Sequence, residues 1–285
     1  MNPVDFKPIE RNVYSQYGED GVIEWVFSKI EPRHRICVEF GAWDGWNLSN
    51  SFNLVAHQGW KSVYIEADPQ KFRALEKTAA AFQKITVVNC LVAASGENSL
   101  DRILERHGIP EDFDLLSIDV DGIDYDIWEA MMRFRPALVV IEHNPSIPPG
   151  VEYIDRAADT FMGSSATSLD RLAAKKGYRL LGCTFTNSFF LREEFFASLS
   201  VRPATVDEAF DRRDVCQVFL NYAGEFVFSN GTMANKLRSI VYRSPMKTLT
   251  RWLLGMPTFY VLGQSHAQEG VVLRLFRRAA ALVRG

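Results

Sequence analysis

No stretch of this 285-residue chain reaches the roughly 18 to 20 apolar residues that a bilayer span requires, so no membrane helix is expected. The first 17 residues carry no hydrophobic run of the leader type, and no signal peptide is expected. Cysteine is sparse. The four present (Cys37, Cys90, Cys183, Cys216) include no CxxC pair and lie in apolar, strand-like runs. They read as buried, reduced thiols of a cytoplasmic protein. Positive charge is not in excess: 32 Lys and Arg face 35 Asp and Glu, a net charge of -3, which predicts no general affinity for nucleic acid. Internal repeats and low-complexity tracts are also missing. What charge there is lies unevenly. Residues 231–285 hold nine Lys or Arg and one acid, about +8, leaving about -11 for the rest. The apolar share, 47%, is that of an ordinary globular protein.

The most informative stretch runs from Cys37 to Gly45. An apolar run ends in an acid, Glu39, and then in two glycines four residues apart, Gly41 and Gly45. A polar segment follows (Asn47 to Ser51), then a helical pattern. This is strand, tight turn, helix. Glycine accepts positive φ and lets backbone approach a ligand closely. In open α/β sheets the ligand sits at this carboxyl edge. Trp43 stands where a dinucleotide fingerprint has its middle glycine, and its bulk opposes a pyrophosphate at the helix start. The pattern fits a cofactor with a ribose and no phosphate, such as S-adenosylmethionine (SAM), as well as an ordinary strand–turn–helix.

Repeated βα units follow. The strand Ser62 to Asp68 ends in acids about 20 residues past the turn, where nucleotide-type folds grip ribose hydroxyls. Glu66 is the candidate for that role, and Asp68, before Pro69, is the candidate helix cap. The next strands are 85–92 and 115–122. Asp119 and Asp121 share a face at the end of the latter, with Asp124 and Asp126 just beyond. The strand 137–144 ends in Glu142, His143 and Asn144. If these two strands are neighbours, the oxygen donors and one imidazole converge. That set suits a divalent ion such as Mg or Mn. The alternative is a set of solvated strand ends. Upstream, Ser15 to Asp20 is either a helix cap or a wall of the cofactor site, with Gln16 among its polar residues. Residues 145–165, rich in Pro, Gly and Ser, are a candidate lid or substrate loop. Two last strands joined by a short turn (177–184 and 187–192) form an expected hairpin.

Taken together, Ser15-Gln16-Tyr17-Gly18-Glu19-Asp20, Val38-Glu39-Phe40-Gly41-Ala42 with Asp44-Gly45 and Ser49-Asn50-Ser51, Tyr64 to Pro69, Ser117 to Gly122 and Ile141 to Asn144 resemble the motif series of FkbM-type SAM-dependent methyltransferases. The resemblance covers about residues 14–195. It implies an α/β fold of the Rossmann-like class I methyltransferase type, a seven-stranded mostly parallel sheet with an antiparallel last strand. The methyltransferase domain is expected to span residues 1–230. By this resemblance the cofactor would be held by Gln16, Glu39, Gly41, Gly45, Asn50, Glu66 and Asp119. A metal would rest on Asp121, Glu142 and Asn144.

The activity so implied is O-methyl transfer to a hydroxyl of a sugar, glycan or glycosylated metabolite, assisted by a divalent metal. The catalytic candidates are His143 as base, with Asp119 and Asp121. Two other classes fit parts of the pattern: a methyltransferase-like binding module without turnover, and a nicotinamide-dependent oxidoreductase. The basic segment 231–285 is expected to be a helical appendage. Val272, Leu275, Phe276, Ala279 and Val283 would face the protein, a second copy, or the inner face of an anionic membrane.

Overall fold

The computed structural model describes residues 1–120, 122–156, 163–220, 222, 226–229 and 259–261. The chain divides into two units, Met1–Arg212 and Arg213–Gly285. The first unit runs α1 (Glu19–Lys29), β1 (Ile36–Phe40), α2 (Phe52–Gln58), β2 (Lys61–Glu66), α3 (Pro69–Ala81), β3 (Ile85–Asn89), α4 (Leu100–Arg106), β4 (Leu115–Ile118), α5 (Asp124–Ala130), β5 (Leu138–Glu142), α6 (Ala166–Lys175), β6 (Tyr178–Cys183) and β7 (Asn187–Arg192). Two single-turn helices follow, α7 (Phe196–Leu199) and α8 (Val206–Ala209). The second unit contains a small sheet of β8 (Val218–Leu220), β9 (Phe226–Phe228) and β10 (Phe259–Val261). The amphipathic pattern at 272–283 lies outside the described residues.

The seven strands of the first unit are ordered β3-β2-β1-β4-β5-β7-β6. β7 is antiparallel to both neighbours and the other strands are parallel, so the expected Rossmann-like methyltransferase sheet is present. The hairpin does more than finish the sheet. Its second strand slots between β5 and β6, because β7 bonds to β5 along its whole length from Leu138↔Leu191 to Glu142↔Asn187.

The centre of the sheet is apolar on both faces, as a parallel sheet covered by helices must be. Leu115, Leu116 and Ile118 of β4 and Leu138 to Ile141 of β5 are fully buried. Burying each such side chain contributes about 1.5–3 kcal/mol. On one face Val22, Ile23 and Val26 of α1 join Cys37, Leu115, Leu138 and Phe189 in a single buried cluster. Phe190 points the other way and meets Trp128 of α5, ring centroids 5.3 Å apart. Cys37 and Cys183 are buried as expected, but Cys90 and Cys216 are only half-buried. Cys90 misses burial because β3, an edge strand, stops one residue before it.

Candidate active site

Parallel pairing puts the functional candidates on one edge. The registers Phe40↔Ile65, Phe40↔Ile118 and Ile118↔Ile141 align the carboxyl ends of β1, β2, β4 and β5. The glycine turn and the acidic rim therefore share that edge. Adjacent strands lie about 4.8 Å apart, so β1 and β5, separated by β4, end roughly 10 Å from each other.

The turn after β1 is built by backbone. Gly41 and Ala42 donate their N–H groups to the Ile65 carbonyl (3.1 and 3.2 Å), folding the turn toward the end of β2. Gly41 has φ +77°, and a Cβ there would overlap the Asp119 carbonyl oxygen, so only glycine fits. Gly45 (φ +84°) instead sits under Leu75 of α3. Its role is to let the turn pack on that helix.

The two acids of the turn region are both buried but differ in their partners. Glu39 is buried and fully engaged. It accepts from Ser49 Oγ (2.9 Å), Asn50 N (3.3 Å), Ser51 N (3.1 Å) and Ser51 Oγ. Burial pushes its carboxyl up, and those donors from 49–51 pull it part of the way back. Glu39 thus shapes the loop behind the turn. Asn50 is buried too, and its amide donates to Ser117 Oγ of β4 (3.1 Å). Glu66 accepts one backbone N–H on each oxygen, from Trp43 and from Asp68 (both 2.8 Å). A carboxylate oxygen accepts two hydrogen bonds, so each retains capacity toward a ribose hydroxyl. Asp68 caps α3 as expected, accepting from Gln70 N (2.6 Å) and Lys71 N (3.0 Å).

No family model matches the chain, and no curated protein sequence matches it either. Among solved structures it is similar to a SAM-dependent methyltransferase from Aquifex aeolicus, with 11% identity, 65% of this chain and 95% of that one covered, and a TM-score of 0.40. It is similar as well to the N-terminal domain of EvdMO1, solved in the presence of SAH and D-fucose (12%, 67% and 88% covered, TM-score 0.40). A third is an O-methyltransferase family protein from Burkholderia thailandensis (12%, 61% and 59% covered, TM-score 0.39). At identities and TM-scores this low the likenesses carry no argument about activity or substrate.

At the acidic rim, Asp119 is exposed and Glu142 half-buried, side by side if the Ile118↔Ile141 register is carried one residue on. Asp121 lies outside the described residues. Asp124 is buried and accepts from Val120 N (2.9 Å) and Gly122 N (3.0 Å), closing the turn after β4. Asp126 pairs with Arg156. Those two acids therefore have partners within the protein and need no ion. Asn144 is buried, and its Oδ1 already accepts from Ser146 N (2.9 Å) and Ser146 Oγ (2.6 Å). Among the described residues no group of three His, Cys, Asp or Glu could hold a metal ion.

His143 has a setting unlike that of a solvent-facing base. It is fully buried, its Nδ1 is 3.0 Å from Ser188 Oγ, and its Nε2 has no hydrogen-bond partner. Burial lowers its pKa to about 3, so the ring is neutral at physiological pH.

The N-terminal motif crosses this edge, which periodicity could not reveal. Asp20 accepts from the backbone of Val13, Tyr14 and Ser15 (2.8, 2.7 and 2.8 Å), so the cap runs backward from helix to lead-in. Glu19 is buried and accepts from Tyr17 N (2.7 Å), Thr184 Oγ1 (2.6 Å) and Asn187 Nδ2 (3.1 Å). The sequence marks Glu19 and Tyr17 only as members of the segment 15–20, a helix cap or a wall of the cofactor site, and gives Thr184 and Asn187 no role. The one available signal is a Thr and an Asn flanking the short turn of the hairpin. Gln16 is exposed above the edge. The candidate lid is tied down at both described ends. Asn144 N donates to the Ser164 carbonyl (3.0 Å) and Tyr153 N to Ser165 Oγ (3.1 Å), while 157–162 lie outside the described residues.

Proposed function

We propose that this chain is a SAM-dependent O-methyltransferase acting on a hydroxyl of a sugar, glycan or glycosylated metabolite. The observation that carries the reading is the glycine turn of β1, bonded to the end of β2 beside Glu66, on the same sheet edge as Asp119 and Glu142. The residues present fit the cofactor. Glu66 keeps acceptor capacity for the ribose, and Gly41, Gln16 and Asp119 are exposed. Glu39, Gly45 and Asn50 support the loop from behind.

When bound, SAM supplies a methyl group already activated on a sulfonium. The chain then has to hold the acceptor oxygen in line and remove its proton. Asp119, one strand from the turn, takes the hydroxyl proton, and Glu142 hydrogen-bonds a neighbouring hydroxyl and orients the ring. The part of the chain in the transfer would end with that proton on the Asp119 carboxylate. A divalent ion would need donors that the described residues do not complete.

Calorimetry on the full chain with SAM and with S-adenosylhomocysteine (SAH) tests this. Saturable binding of both is expected, and Glu66→Gln should weaken each about tenfold, the range for a hydrogen bond to a charged group. No heat with either ligand would overturn the assignment.

A further inference from the structure

The same edge carries a second wall, formed by residues far apart in sequence. Tyr17 and Phe185 meet edge to face with ring centroids 4.9 Å apart, and both are half-buried. Gln16 Nε2 donates to the Tyr17 hydroxyl (3.2 Å). Glu19 fixes the pair. It holds the backbone at Tyr17 on one side and the Thr184 and Asn187 side chains, flanking Phe185, on the other.

The position is set by β5. Asn187 pairs with Glu142, and His143 N donates to the Thr186 carbonyl (2.7 Å). Phe185 therefore lies at the carboxyl end of β5, beyond Asp119 as seen from the glycine turn. The cofactor side of the site is β1 and β2. The β5–β7 side, roughly two strand spacings away, is where an acceptor must sit to receive a methyl.

We propose that Tyr17 and Phe185 form the acceptor wall and that it receives a pyranose ring. The aromatic faces suit the axial C–H groups of a sugar. The amide of Gln16 and the carboxylates of Asp119 and Glu142 suit its hydroxyl rim. The same wall makes the N-terminal segment part of the acceptor site, not only of the cofactor site.

This inference rests on the methyltransferase reading, and the test separates the two. Saturation-transfer NMR is run on the full chain with saturating SAH and the methyl α-pyranosides of D-glucose, D-mannose and L-rhamnose. At least one glycoside should show transfer to its ring protons. Tyr17→Leu and Phe185→Leu should each cut that transfer at least fivefold while SAH affinity stays within twofold of the wild type. Transfer to none of the three glycosides, or transfer unchanged in both variants, overturns the acceptor wall. So does a parallel loss of SAH affinity, which would make these rings part of the cofactor site. A wild type that fails to bind SAH at all overturns the cofactor reading itself.

Discussion

At the scale of single residues, Gly41 and His143 carry the clearest consequences. A methyl group on Gly41 would collide with backbone, not with a side chain that could turn away, and φ +77° adds strain. Gly41→Ala should lose about 2–4 kcal/mol in chemical denaturation, in the range of overpacking combined with an incompatible backbone. His143 links folding to acid. Its folded pKa, about 3, lies below the ordinary value of 6.5. The unfolded chain therefore takes up a proton between those values that the folded chain does not. Stability is intact above pH 6.5 and falls as pH drops toward 3, by about 1.4 kcal/mol per pH unit from this group alone. Urea titrations at pH 7 and pH 4.5 should show a smaller loss for His143→Leu than for the wild type. Equal losses would mean that the ring charges freely in the fold.

Elements were readable where one principle ruled them. The helix α3 follows from a capping Asp followed by Pro at the first helical position. The β1 turn was legible because two glycines and an acid have few other uses at a strand end. The roles of the acids were less legible, because sequence shows charge and not its partner. Asp124 and Glu39 both look like ligand groups in a motif, and both are taken up by backbone and hydroxyl donors, two to four residues away for Asp124 and ten to twelve for Glu39. The loop 49–51 depends on that. Glu39→Ala strands four donor contacts in a buried site, and should lower stability by about 2–5 kcal/mol in thermal or urea unfolding. Glu39→Gln, which keeps an acceptor, should lose less.

Over the whole molecule, the parallel direction of β1 to β5 could be expected from alternating strands and helices, but the insertion of β7 between β5 and β6 could not. Nothing local in residues 187–192 says whether the hairpin adds at the edge or wedges in. The choice is made by long-range pairing with β5. Two acids near the rim are answered within the protein, Asp126 by Arg156 and Asp124 by the Val120 and Gly122 N–H groups, while Asp121 of the expected metal set lies outside the described residues. Turnover, once an acceptor is found, should survive excess EDTA. Its abolition and recovery with added Mg or Mn would bring an ion back through residues beyond those described.

The wedge position of β7 also bears on synthesis. As the chain leaves the ribosome, β5 emerges some fifty residues before its last partner, with one flank of unpaired N–H and C=O groups bordering Val139 and Val140. Until Arg192 is out, that flank is a template for any passing strand. Nascent chains with between 145 and 185 residues outside the ribosome should therefore be the ones that chaperones hold and that aggregate when released.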